Sequence, residues 1–207
     1  METNLNGLLS IDHSSEKGVI QSFERISNEL LNNYSLVINN ITFLFTEIEF
    51  YYYHSVNHKD KNTHRHDYQE GRWRFHGSGL DITFKSNIKE NTNPEFYGGI
   101  LIRGLKQIDP TITCPYVNGP LRSLVKIFHC MNNVTSCNSG LILLKRHDSL
   151  QRKIHKTSRH GVGPSPYEKS DYRYFTEQKE WNNNQWDGKH LSTKDEINNQ
   201  NSWKKVN

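Results

Sequence analysis

Between residues 20 and 31 the apolar positions Ile20, Phe23, Ile26, Leu30 and Leu31 recur every three or four residues, as on one face of a helix, and Asn32-Asn33 marks its end. The period then falls to two. Residues 35–39 and 41–53 are rich in Val, Ile, Phe, Thr and Tyr with Asn39-Asn40 between them, which predicts a hairpin whose second strand is long. In that strand Glu47 and Glu49 share one face, so that a carboxylate can point into a pocket. Short strands at 72–75 and 80–84 flank His76-Gly77-Ser78-Gly79, and residues 98–105 form an apolar strand with one charge, Arg103, which needs a partner if buried.

Asn118 is placed to cap a helix with Pro120 in its first turn and Leu121, Leu124, Val125 and Phe128 as its apolar stripe. Residues 141–145 read as a strand, 159–166 as a Gly/Pro-rich loop and 172–176 as a strand returning to the sheet. The fold class is therefore α/β in the α+β sense: a single domain over residues 19–181 with a curved, mostly antiparallel sheet flanked by helices. Residues 1–18 and 182–207 are polar without sustained periodicity and are expected to be mobile.

Composition sharpens this outline. Hydrophobic residues make up 33% of the 207, against a usual ~45–50% on a count that includes Gly, which predicts a modest core under polar, Asn-rich loops. No apolar run approaches the ~18 residues of a spanning helix, and the N-terminus lacks a basic start followed by an apolar segment. The expectation is a cytoplasmic monomer without a membrane partner. Cys114, Cys130 and Cys137 lack the spacing of a disulfide framework or a cysteine zinc site. A net charge of +4 fits a polyanion partner without requiring one. The clustering of Lys145, Arg146, Arg152, Lys153, Lys156, Arg159 and Lys169 is a better electrostatic footprint than the total.

The densest group of reactive side chains lies between Glu47 and Asp81, where His54, His58, His64, His66 and His76 accompany Asp60, Asp67, Arg72 and Arg74. A metal-dependent hydrolase centred on His64, His66, His76 and Asp81 is one reading, although no H-E-x-x-H helix or comparable ligand spacing supports it. Glu47 and Glu49, flanked by Phe45 and Phe50, suit a general base better, since a carboxylate among aromatic rings has its pKa raised. Spacing alone does not choose between the two.

Thr46-Glu47-Ile48-Glu49-Phe50-Tyr51 resembles the E-T-E-A-Y strand of the alkyladenine (3-methyladenine) DNA glycosylases. The order of later segments is similar too. Residues 98–105 (GGILIRGL) resemble the family's strand ending in L-L-R-A-L, Asn118-Gly119-Pro120 its N-G-P helix start, and residues 141–146 its V-W-L-E-R strand. Arg159-His160-Gly161-Val162-Gly163 resembles the R-V-G-V loop, and Tyr172-Arg173-Tyr174-Phe175 the closing L-R-F-Y strand. The likeness covers residues 20–181.

The resemblance implies the alkyladenine DNA glycosylase or formyltransferase C-terminal-like fold, and a hydrolase of base excision repair that cuts the N-glycosidic bond of a damaged or alkylated purine in duplex or single-stranded DNA. It implies Glu49 as the residue activating water, with Glu47 beside it, Tyr51 stacking on the flipped base and His64, or else His66, on its other side. His76 stands near a second aromatic position, and Asp81 near an asparagine that screens the base. Arg103 would hold phosphate, and Arg72, Arg74, Lys145, Arg146 and Arg159 would meet nucleic acid. Two departures are visible: the hairpin at 75–81 is short, and no residue stands for the wedge that fills the gap left by a flipped base. The missing wedge, together with Asp81 in the place of the screening asparagine, keeps open a non-catalytic nucleic-acid or nucleotide-binding module on the same fold. The glycosidic chemistry needs only a carboxylate beneath the anomeric carbon, so no cofactor and no metal are expected.

Overall fold

Ser15 opens the first helix from an extended backbone and accepts the Gly18 N–H on its hydroxyl at 3.1 Å, while Glu16 faces the positive end of the helix dipole. Helix α1 (Glu16–Asn33) then buries Val19, Phe23, Ile26 and Leu30 completely, a stripe at helical spacing. Phe23 stacks on Phe50 of the sheet at 4.5 Å between ring centroids; each such ring gains on the order of 1.5–3 kcal/mol by leaving water. The structure, a computed structural model, describes residues 7–88, 94–111, 115–131, 140–176 and 204–205.

From α1 the chain enters β1 (Tyr34–Ile38), turns at Asn39 with φ 48° and returns as β2 (Ile41–His54), as the alternating pattern predicts. The long strand β2 is the spine of the sheet. It pairs with the two-residue β3 (His58–Lys59), with β6 (Phe96–Gln107) on one side and with β10 (Arg173–Thr176) on the other. Outside β6 lies the hairpin of β4 (Trp73–His76) and β5 (Gly79–Thr83); outside β10 lie β9 (Ile154–Thr157) and β11 (Lys204–Lys205). Two more short pairings complete it, β7 (Tyr116–Asn118) on β6 and β8 (Leu141–Lys145) on β1. Among the described residues every strand pair is antiparallel, and the result is a single-domain α+β fold with a curled sheet and two helices.

Alternation along β2 separates two chemistries. Ile48, Phe50 and Tyr52 are buried on the side of α1, and Glu47, Glu49 and Tyr51 take the other face. A register shift between Phe45 and Ile48 against β6 lies at Glu47. Beyond it Tyr51 and Tyr52 oppose Gly99 and Gly98. A Cβ on Gly98 would come within 2.3 Å of the Tyr51 carbonyl oxygen, so only glycine lets the two strands approach here.

The structure departs from the sequence pattern in several places. Helix α2 (Pro120–Cys130) is capped by Gly119 at φ 98°, a conformation that an asparagine side chain enters at a cost, and Asn118 instead ends β7. The helix packs through Ser123, Ile127 and Cys130, leaving Leu121, Val125 and Phe128 at least half exposed and Leu124 partly buried. Ser123 takes the inner face because its hydroxyl donates to the Arg103 carbonyl at 3.2 Å and its small size admits β6 closely. Of the segment 1–18, expected to be mobile, residues from 7 onward pack against α1. Leu8 and Leu9 are buried, and Arg25 of α1 donates to the carbonyls of Gly7, Leu8 and Ser10. Residues 1–6 lie outside the described residues, as does the predicted mobile tail 182–207 apart from Lys204–Lys205.

Candidate active site

Glu47 and Glu49 project from the face of β2 opposite α1, and both are buried, at 2% and 0% exposure. They differ in what holds them. Glu47 accepts from Arg103 Nε at 2.7 Å and from Arg173 Nε at 2.6 Å on a single oxygen. Burial opposes its charge, but Arg173 and Arg103 outweigh burial and keep its carboxyl below the usual carboxylate range. Glu49 accepts from the Tyr51 hydroxyl at 2.9 Å, from Arg103 Nη1 at 3.3 Å and from the backbone N–H of His160 at 3.1 Å. Glu47 is thus a fixed ion-pair anchor, and Glu49 is the carboxylate turned toward the loop.

Above Glu49 opens a cavity of ≈ 390 Å³, inside the range of roughly 300–1,000 Å³ for small-molecule sites. Five stretches of the chain supply most of its lining. From β2 comes Tyr51, from the segment after β3 come Asn62, Thr63, His64 and His66, and from the hairpin come Arg74, His76, Ser78 and Asp81. From β6 come Leu101 and Arg103, and from the loop after β9 come His160, Gly161, Val162 and Gly163. The sheet register explains much of this: Asp81 opposes Leu101, Leu101 opposes Glu49, and Glu49 opposes Arg173, one row across four strands. Three residues on the lining, Tyr51, Arg103 and His160, are those that bond Glu49, so the carboxylate lies one layer beneath the cavity wall.

At the far wall Arg74 Nη1 donates to Asp81 Oδ2 at 2.9 Å. His76 Nδ1 accepts the Ser78 N–H at 3.2 Å, which leaves the proton of its neutral ring on Nε2, 3.0 Å from Asp81 Oδ1 but off the line of a good hydrogen bond. His64 meets His76 edge-on at 6.2 Å between centroids. Burial, and then the charge of Arg74, lower the pKa of His66 and keep it neutral. Among the described residues no three His, Cys, Asp or Glu side chains converge as metal ligands, so the spacing of His64, His66, His76 and Asp81 does not become a ligand set.

The loop over Glu49 is anchored from below. Arg159 pairs with Asp60 at 2.6 Å with both side chains fully buried, and donates to the Phe50 and Tyr167 carbonyls. Its guanidinium also lies over the rings of Tyr51 at 4.6 Å and Tyr172 at 5.4 Å. Arg159 is therefore a positioning residue and is withdrawn from any nucleic-acid surface. Arg74 likewise belongs to the cavity. Arg72 and Lys145 are exposed and Arg146 half-buried, and none of the three lines the cavity. Lys156 is paired with Glu24 of α1, which further breaks up the basic cluster.

The sequence pattern brings Glu49, Tyr51, His64, His76, Asp81 and Arg103 to this site, and it misses the rest for identifiable reasons. The His160 donor is a backbone N–H, which no residue type announces. Asp60 and Arg159 are 99 positions apart. Arg173 carries the same signal as Arg103, a lone charge in an otherwise apolar strand, and could have been read the same way. No helix among the described residues is long and apolar enough to cross a membrane. Compared with known proteins, the chain matches no family model, no curated protein and no solved structure.

Proposed function

We propose that this chain is a DNA glycosylase-like hydrolase acting on a damaged or modified purine, with Glu49 as the base that activates water. The observation that carries this reading is the convergence of Tyr51, His64, His76, Asp81 and Arg103 on one cavity with Glu49 directly behind it. In the reaction, water adds to C1′ of the sugar as the bond from C1′ to the base nitrogen breaks. Glu49 takes the water's proton, and the purine leaves with the electron pair of the broken bond; an uncharged purine takes up a proton from solvent, and a cationic one leaves neutral. The carboxylate also offsets the positive charge that develops on the sugar. Of the three hydrogen bonds that hold Glu49, the one from Arg103 on the cavity lining is the longest, at 3.3 Å. Tyr51 and His64 lie on the cavity to take the faces of the extruded base.

One observation favours a second reading. Glu49 has no exposed surface and three donors, which suits a pocket kept for binding alone. The test measures base release from hypoxanthine-containing, methylated and undamaged DNA, duplex and single-stranded, by the wild type and by Glu49→Gln, with and without a chelator. A glycosylase releases a base, loses at least about a hundredfold in Glu49→Gln, as expected for a general base, and is indifferent to chelation. Binding to the same DNA without release in either protein would leave the binding module standing.

A further inference from the structure

The charge inventory of the cavity narrows the base. Asp81 is the carboxylate on the lining, and its two oxygens face Arg74 at 2.9 Å and His76 at 3.0 Å. The Arg74 and Asp81 charges cancel. Arg103 on the lining and Arg173 behind it face Glu47 and Glu49, and these four charges cancel as well. Among the described residues Tyr51 is the one carbocyclic aromatic ring on the lining, and a guanidinium, that of Arg159, already stands over it. A π-face engaged by one cation attracts a second less strongly.

A base carrying positive charge must shed water to enter, and it finds on the lining two guanidinium groups whose partners are already matched to them, with no net negative charge left to offset its own. The hydrogen-bonding edge points the same way. Arginines only donate, and His76, whose Nδ1 accepts the Ser78 N–H, presents Nε2–H, so the wall offers donors against a carboxylate that is already engaged. A purine with a carbonyl at position 6 shows acceptors to such a wall, whereas a 6-amino group shows a donor.

We infer that the Arg74 and Asp81 pair makes this cavity select an uncharged purine with a carbonyl edge, the product of deamination, over a purine made cationic by alkylation. This rests on the glycosylase reading above. The selecting device is Arg74, because it both neutralises Asp81 and adds its own repulsion toward a cation.

The test has two arms at neutral pH, each run with wild type and Arg74→Gln. The first compares release of hypoxanthine and of 7-methylguanine from one duplex sequence, each as acceleration over the uncatalysed loss. The second compares equilibrium binding of inosine with that of 1-methyladenosine, which is cationic at neutral pH. Expected are an acceleration and an affinity at least tenfold greater for the uncharged member in wild type. In Arg74→Gln, which leaves Asp81 unopposed, that ratio falls at least tenfold. The release ratio decides where a base is released, and the binding ratio decides where none is. A wild-type preference for the cationic member, equal treatment of the two, or a ratio unmoved by Arg74→Gln overturns the inference while the glycosylase reading stands on release itself. No release with inosine still preferred and Arg74-dependent removes the glycosylase reading and keeps the charge selection. Neither release nor binding removes both.

Discussion

Tyr51 donates its phenolic hydrogen bond to Glu49 at 2.9 Å, two positions along the same strand, and thereby ties the ring on the cavity wall to the carboxylate beneath it. Burial, and then the charge of Glu49, push the phenol well above its usual range, so Tyr51 stays a donor through the neutral region. A strand places residues two apart on one face, which is why this pairing needs no loop to form it.

Replacing Tyr51 with Phe keeps the ring and removes the donor. A hydrogen bond to a charged group contributes about 1.5–3 kcal/mol, so on the proposed function base release in single turnover slows by roughly tenfold to a hundredfold. Binding of the base, which depends on the ring face, is kept. A loss confined to binding would show that Tyr51 serves stacking alone and does not position Glu49.

The pair of Arg159 and Asp60 holds up the loop whose next residue, His160, donates to Glu49. Both side chains are fully buried, so removing either leaves an unpaired charge in the interior. Asp60→Asn and Arg159→Met are each expected to destabilise the fold by about 3–5 kcal/mol, and the double variant by less than the sum. Urea unfolding of the three proteins measures this, and strict additivity would mean that the two residues act separately.

What the sequence makes legible here is what period and local composition encode. The helix at Phe23 and Leu30, the hairpin at Asn39 and the carboxylate face of β2 all follow from spacing within a single element. The site residues on those elements follow with them, since a strand fixes which side chains share a face. Pairings over long separations leave no such trace, and Asp60 with Arg159 or Glu47 with Arg173 become visible only when the sheet closes. Short strands such as β3, β7 and β9 are made by their neighbours and have too few residues to show a period of their own. The burial of Leu8 and Leu9 is missed for a related reason. Two apolar residues in a polar segment carry no periodicity, and the carbonyls of that segment are claimed by Arg25 from a helix further along the chain.

Acid sensitivity has its source in His58. Its ring is buried, and because the Tyr52 carbonyl at 2.8 Å can only accept, Nδ1 carries the proton and Nε2 accepts from the Tyr172 hydroxyl at 2.9 Å. Burial lowers its pKa, as it also does for His54 and His66. A folded-state pKa below the unfolded value of about 6.5 means that the unfolded chain takes up the proton first as pH falls. The stability is therefore full above about pH 6.5 and declines below it. Thermal unfolding between about pH 7 and pH 5 should show this fall, and His58→Gln, though less stable at neutral pH, should show a smaller one. Glu47 adds a second limb, because its lowered pKa makes stability fall again once the unfolded carboxyl protonates below about pH 4.3.

Helix α2 turns its most apolar stripe outward, and the two faces should answer to mutation in opposite ways. Val125 is 65% exposed and Phe128, 50% exposed, stacks on the equally outward Phe75 at 5.5 Å. Ile127, two positions from Val125, is fully buried against the sheet. A side chain that stays in water in the folded state has little transfer energy to lose, so Val125→Ser is expected to change stability by no more than about 0.5 kcal/mol. Ile127→Ala removes buried methyl groups and leaves a cavity, for a loss of about 2–5 kcal/mol. Paired urea titrations give both numbers. If Val125→Ser proved the more costly, the helix would be rotated about its axis, with Ser123 no longer on the Arg103 carbonyl.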